Sequence, residues 1–344
     1  MLKPISNPPN PWESTHVEYL GEPPEAELEI FEEYPRSILA ENESPDVGFR
    51  WSLNPYRGCF HACSYCYART SHEYLGFGAG TDFDRKIVVK VNAPDLLRAE
   101  LSRRSWKGET IIFSGNTDCY QPLEAVYELT RRCLEVCEEF RNPVAIITKG
   151  ALVRRDANLL ARMSRGGSAS VSLSIPFFDD AMSRSIEPNA SLPSQRFETL
   201  RLLSTAGIRT GVGVAPVIPG LNDSQITAVL ERARSAGATS AFLTLVRLAG
   251  QTLPVFRERL EQTFPKRASK VWNAIQQVRG GKLNESRFGL RMRGVGARWD
   301  AIHDLFDLEC RRLGFNEERV GEGNAGPEET TFLRPGEQGE FWKL

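Results

Sequence analysis

Three cysteines, Cys59, Cys63 and Cys66, fall close together in the segment Asn54-Pro-Tyr-Arg-Gly-Cys59-Phe-His-Ala-Cys63-Ser-Tyr-Cys66-Tyr-Ala-Arg69. Thiolates are soft, anionic ligands suited to iron. Steps of four and three residues on a compact loop can bring three sulfurs to three corners of a 4Fe-4S cube. The fourth iron then stays open to a small molecule. A cluster that only carries electrons usually takes four cysteines, so the missing fourth ligand points to chemistry at the open iron. Structural zinc is the alternative, and it needs four ligands. Only His61 is at hand, lying between Cys59 and Cys63 where closing a tetrahedron is awkward. The other cysteines are Cys119, Cys133, Cys137 and Cys310, an odd total of seven. With no apolar leader in MLKPISNPPNPWESTHVEYL, that total argues for reduced thiols and a cytoplasmic protein rather than a disulfide framework.

The elements that must position this loop follow from the apolar runs. Strand-length runs at 110–114, 143–148, 169–175, 209–215 and 240–246 join a strand leading into Cys59, making six. Helix-like stretches at 123–140, 151–163, 194–205 and 223–235 alternate with them, with Asn222 or Asp223 as an N-cap for the last. Runs rich in Val, Ile and Leu without strict alternation fit a sheet buried on both faces. The expected fold is α/β, a partial TIM-like (β/α)6 barrel built from right-handed βα units. Residues 51–250 form this core. Residues 1–50, rich in Pro and Glu, read as an acidic, partly disordered arm with one short ordered piece at 35–40. Residues 251–344 read as a basic helical extension, with helices at 270–278 and 297–313 and a loose Gly- and Glu-rich tail. No apolar run approaches the ~20 residues of a membrane span.

Charge is unevenly distributed. Between Glu13 and Asp46, eleven acidic residues face one basic residue, Arg36; between Arg257 and Arg298, eleven Lys or Arg face three Glu. Either the acidic arm covers a basic surface, or residues 257–298 meet an anionic partner such as nucleic acid, or both faces are simply solvated. Within 287–293, basic residues alternate with apolar ones; Phe288 or Trp299 could stack on a base while the cations grip phosphates.

Cys-x3-Cys-x2-Cys after the first strand of a six-unit βα chain resembles the radical S-adenosylmethionine (SAM) superfamily, over about residues 50–250. The resemblance implies a 4Fe-4S cluster on Cys59, Cys63 and Cys66 whose open iron chelates the amino and carboxylate groups of SAM. An electron from a flavodoxin- or ferredoxin-type donor then cleaves SAM, and the 5′-deoxyadenosyl radical abstracts a hydrogen atom from substrate. Ser64-Tyr65-Cys66-Tyr67, taken with Asn54-Pro-Tyr-Arg-Gly-Cys59, is similar to the branch containing spore photoproduct lyase, which reverses a thymine lesion in DNA. Two other readings stand beside a lesion-repair enzyme. One is a nucleic-acid-binding protein with a structural cluster. The other is a radical SAM enzyme acting on a peptide or small molecule, although Cys310 alone in the extension argues against auxiliary-cluster peptide modifiers.

Barrels of this kind place their chemistry at the C-terminal ends of the strands. The 110–114 run leads into Gly115, Asn116, Thr117 and Asp118, where the superfamily often carries a Gly-Gly-Glu-like turn for the SAM amino group. Asp118 is expected to accept from that ammonium, and Lys149 to pair with the SAM carboxylate. Ser172 and Ser174 share a face with Ser170 and resemble the ribose- or carboxylate-binding position. Gly211 and Gly213 are expected to let the backbone approach a flat ligand. Cys119 is a candidate hydrogen donor, although by the Thr-Asp landmark Gly115 occupies the position of the lyase's cysteine. Tyr65 and Tyr67 either relay a hydrogen atom or shield the cluster. Cys133 and Cys137, at helical i, i+4 spacing, read as core.

Overall fold

The computed structural model describes residues 27–166, 168–317 and 330–336. Ten strands occur among them: β1 (Glu29–Glu33), β2 (Leu39–Glu41), β3 (Trp51–Leu53), β4 (Tyr56–Arg57), β5 (Lys86–Lys90), β6 (Ile111–Phe113), β7 (Val144–Thr148), β8 (Ala169–Ser174), β9 (Arg209–Val217) and β10 (Ser240–Leu245). The main sheet has the order β10-β9-β8-β7-β6-β3-β2. Its six strands from β3 to β10 pair in parallel, and β2 closes the edge antiparallel to β3. These are the six strands expected from the apolar runs. Parallel neighbours need crossover connections, and helices Ala93–Ser102, Leu129–Glu139, Ala157–Arg165, Pro193–Thr205 and Ile226–Ser235 lie in the five of them. Strand residues such as Leu53, Phe113, Ile146, Val171 and Val212 are buried in one continuous core.

The helices differ from the sequence reading where polar groups intervene. The stretch expected at 123–140 breaks at Glu128, which takes φ 50°. The cause lies one turn earlier: the buried Glu124 carboxylate accepts from the amides of Thr130 and Arg131, capping Leu129–Glu139 from outside. The helices expected at 151–163 and 223–235 both open as 3-10 turns, Ala151–Asp156 and Asp223–Gln225. Asn222 is not a side-chain cap. It accepts from the Ile218 amide and donates to the carbonyls of Pro176 and Pro216, tying the loops beyond β8 and β9 together.

Both terminal regions carry order that composition hid. The arm contributes β1, parallel to β5, and β2; its residues 1–26 lie outside the described residues. β1, β5 and β4 form a second, three-stranded sheet. The extension consists of helices Thr252–Thr263, Pro265–Val278 and Ala297–Leu313. Part of the expected loose tail is docked: the Thr330 hydroxyl donates to Gly108 O, the Leu333 amide to Phe140 O, and Phe332 stacks on Phe140. One aromatic side chain finding an apolar seat outweighs the polarity of its neighbours. Residues 318–329 and 337–344 lie outside the described residues.

Candidate active site

The C-terminal strand ends bring the expected residues to one side of the main sheet. The cysteine loop follows β3 and β4, the turn 115–118 follows β6, Lys149 follows β7, Ser174 ends β8, and Arg247 lies just beyond β10.

A loop without a ladder needs side chains to satisfy its backbone, and here they come from across the chain. Arg69, fully buried, donates to Cys63 O at 3.0 Å, to the carbonyls of Ala79 and Gly80, and to Asp84. Gln121 accepts from the Phe60 amide at 3.0 Å and donates to Gly58 O at 3.2 Å. Asn189 donates to Phe60 O at 2.9 Å, and the Thr252 hydroxyl to Cys66 O at 3.1 Å. The first helix of the extension is thereby tied to the loop.

Cys59, Cys63 and Cys66 are free thiols, and Cys59 and Cys63 are 6% exposed. Burial pushes all three above the ordinary thiol range; at Cys59 the charges of Asp118, Cys63 and Cys66 add to the rise, placing three sulfurs in one electrostatic neighbourhood. Arg69 and Lys149 act in the opposite direction on Cys66, as Lys149 does on Cys63. Three such thiolates in a dry pocket need further positive charge, which iron provides, so the donor set fits an iron–sulfur cluster. The His61 Nδ1 lies 3.3 Å from Asp118 Oδ2.

The turn 115–118 is clamped from β3. Asn54 Oδ1 accepts from the amides of Asn116 (2.8 Å) and Thr117 (3.2 Å), and the Thr117 hydroxyl donates to Tyr56 O at 2.6 Å. Gly115 is needed by close approach: a Cβ there would meet the Ser52 Cβ at 2.6 Å. Asp118 has its oxygens engaged by protein. Oδ1 accepts from the Tyr120 amide and the Thr148 hydroxyl (2.6 Å), and Oδ2 from the Lys149 amide (2.7 Å) beside His61. Burial would raise this carboxyl, but His61 and these donors hold it well below the usual carboxylate range. Asp118 thereby joins β6, β7 and the cysteine loop, with three protein donors on its carboxylate.

Other expectations divide. Cys119 is 0% exposed within the main core, where burial pushes its thiol far up. A hydrogen donor must reach its substrate, so Cys119 does not suit that role. Cys133 and Cys137 are core, as read. Tyr65 is buried and donates to Glu187, which is paired with Arg196 in a contact hidden from solvent on both sides. Arg196 in turn donates to Ser174 O at 2.8 Å. Tyr67 is 44% exposed, donates to Gly115 O at 2.7 Å, and has the Arg247 guanidinium 5.6 Å from its ring centre. The Lys149 ammonium lies 5.8 Å from the Tyr65 ring centre, on the cysteine side. Ser172 and Ser174 pair with Gly211 and Gly213 of β9. The expected flat ligand against those glycines is displaced by the protein itself: a Cβ at Gly213 would meet the Phe242 ring at 2.4 Å, and one at Gly211 the Ser240 Oγ at 2.4 Å. Asn54, Gln121, Glu187, Asn189, Arg196 and Arg247 were missed. Asn54-Pro55 carries a turn signal; Arg196 falls in the helix expected at 194–205, and nothing local marks any of the others as reaching the loop.

Comparison with known proteins agrees with this geometry. Residues 53–233 match the Radical SAM superfamily, and the chain belongs to that superfamily. That superfamily works with SAM and a 4Fe-4S cluster. An uncharacterized protein of Mycobacterium tuberculosis is 39% identical over 224 residues, 64% of this chain and 66% of that protein; the chain thus spans just under two thirds of that relative's length. A protein of Pseudomonas phage M6, named radical SAM Nalpha-GlyT isomerase, is 26% identical over 64% of this chain and 44% of its own. The structure of spore photoproduct lyase complexed with dinucleoside spore photoproduct superposes with a TM-score of 0.60 at 18% identity, covering 87% of this chain and 86% of that one. The fold is therefore that of spore photoproduct lyase. No helix among the described residues is long and apolar enough to cross a membrane.

Proposed function

We propose that this enzyme acts on a lesion or modified base in nucleic acid, with Cys59, Cys63 and Cys66 as the thiolates of its cluster and a flavodoxin- or ferredoxin-type protein as electron donor. The observation that carries the reading is the seat of the basic extension. Thr252 holds Cys66 O, and Arg247, beside Tyr67, also contacts the Met292 sulfur at 3.8 Å. Part of the basic extension thereby lies beside the cysteine loop, where a polyanion's base would have to enter. Support for the substrate class comes from spore photoproduct lyase, whose fold the chain shares and which is complexed with a dinucleoside photoproduct. A lyase and an isomerase among the similar proteins leave the reaction type to the substrate.

When bound, the cluster and SAM supply a 5′-deoxyadenosyl radical able to remove a hydrogen atom from substrate. The chain's own residues then have separate tasks. The turn 115–118, immobilised by Asn54 and Asp118, offers its backbone and Asn116 to the cofactor's amino group. Lys149 neutralises the cofactor's carboxylate, and Ser172 and Ser174 face the sugar. Tyr67, half exposed, is the hydrogen relay. Tyr65, locked on Glu187, shields the cluster from water.

Anaerobically reconstituted protein should be brown, absorb near ~400 nm and cleave SAM when reduced. Deuterated, ultraviolet-damaged or base-modified oligonucleotides should pass deuterium to 5′-deoxyadenosine. Deuterium transfer from a peptide or metabolite and from no oligonucleotide would reassign the substrate. A brown protein that leaves SAM intact would return the cluster to a structural role.

A further inference from the structure

The main sheet does not close, so it has two edges, β10 and β2. Chain segments flanking both edges meet at one point. On the β10 side, residues 290–293 wrap around Arg279, which donates to the carbonyls of Leu290, Arg291 and Arg293 and also to Val246 O at 2.7 Å. This wrapping is a fixed cradle rather than a free loop. On the β2 side stands Asp46, in the connection to β3. Its Oδ1 accepts from the Gly289 amide and its Oδ2 from Arg291 Nε, each at 2.5 Å. The Ser44 hydroxyl completes the set, accepting from the second Arg291 nitrogen and lying 3.4 Å from Asp46 Oδ2. The Asp46 side chain is 3% exposed and that of Arg291 18%.

A guanidinium nitrogen and a backbone N–H converging on one carboxylate is the donor arrangement that also receives phosphate. The surroundings suit a nucleic-acid strand better than a free anion. Phe288, 62% exposed, lies under the Arg291 guanidinium with 4.4 Å to its ring centre, presenting a face for a base beside the anion seat. Arg247, adjoining Tyr67, touches Met292 in the same loop.

We infer that the Gly289 amide and the Arg291 guanidinium form a phosphodiester-binding site for the substrate strand, and that Asp46 occupies it as an internal stand-in which the phosphate displaces. The inference rests on the nucleic-acid reading above and adds a gate to it. Displacing Asp46 frees the connection between β2 and β3 from the loop beyond β10, so binding the strand and opening the side of the barrel become one event.

The test uses the full-length, cluster-loaded protein and a fluorescein-labelled single-stranded DNA at low salt, read by fluorescence anisotropy. Asp46→Asn keeps an oxygen for the Gly289 amide and removes the competing charge. It should bind about 10-fold tighter than the wild type, the scale of one charge-assisted hydrogen bond. Arg291→Met should bind more weakly and lower the salt dependence by about one phosphate contact. The double variant should match Arg291→Met. Equal affinity of Asp46→Asn and wild type, or a gain that persists without Arg291, overturns the inference and leaves the nucleic-acid reading standing. If no variant binds DNA, the nucleic-acid reading falls. Thermal shifts with inorganic phosphate then decide the site: a larger shift for Asp46→Asn than for wild type, absent in Arg291→Met, supports it, and equal shifts sink it.

Discussion

The cysteine loop and the basic loop 284–296 are linked through Arg247, yet they are held in opposite ways. The cysteine loop has its carbonyls and amides taken up by Arg69, Gln121, Asn189 and Thr252, spread over nearly two hundred residues that follow it in the chain. The basic loop is gathered on Arg279 and Asp46, while Phe288, Leu290 and Val295 face solvent. A cluster has to sit in one geometry away from water, so its loop is over-determined. A surface that meets a substrate needs outward side chains on a fixed backbone, and little of the fold rests on those side chains. Substitutions in the two regions should therefore separate chemistry and stability from recognition.

The largest effect is expected at the cysteines. Cys63→Ala should reduce bound iron to background and abolish reductive SAM cleavage while far-UV circular dichroism stays unchanged; iron retained at the wild-type level would remove Cys63 from the ligand set. Next comes the buried pair beneath the loop. Arg196→Met leaves the buried Glu187 charge without its guanidinium partner, a loss of about 3–5 kcal/mol, read as a fall in Tm. The same pair sets a pH dependence. Burial would raise the Glu187 carboxyl, but Arg196, Lys149 and the Tyr65 hydroxyl hold it below its ordinary value. A folded-state value below the unfolded one, about 4.3, means the stabilisation is complete above that pH and is lost as pH falls through the folded value. Glu187→Gln should flatten that acid limb of the Tm profile, and an unchanged limb would assign it to other carboxylates.

The contrast also explains what could be read from sequence. Six parallel strands and the cysteine loop are written in contiguous residues: apolar runs such as Val144-Ala-Ile-Ile-Thr148, and thiols at set steps. The groups that immobilise the loop are not contiguous. Glu187 lies 122 residues from Tyr65, and Asn189 lies 129 from Phe60, in a segment with neither strand nor helix periodicity. β1 and β2 were hidden because Glu29–Glu33 and Leu39–Glu41 are short and largely exposed, so neither carries the apolar signature of a core strand. Cys119 misled because proximity in sequence to a functional turn says nothing of direction; the residue after Asp118 turns into the core.

Between the two regions in expected effect stands Asn54, whose single oxygen serves two amides of the turn 115–118. Asn54→Ala leaves both donors without that acceptor, a loss of about 1–3 kcal/mol. It should also weaken SAM binding, because the turn loses its fixed shape. A Tm unchanged within error would mean that water replaces the side chain and that the turn is held from Tyr56 and Tyr67 instead.

The smallest effect on stability, and the sharpest test of the contrast, is Phe288→Ala. The ring is mostly in solvent and packs on the Arg291 guanidinium, an exposed cation–π contact of about 0.5–1 kcal/mol. Tm should therefore move little. Base stacking on an exposed ring is worth roughly 1–3 kcal/mol, so affinity for single-stranded DNA should drop by about 10-fold or more, and Phe288→Tyr should restore it. Loss of binding with stability intact would place recognition in this loop, apart from the chemistry. Loss of stability without loss of binding would mean that Phe288 braces Arg291 for the fold, and the two regions would then differ in degree rather than in kind.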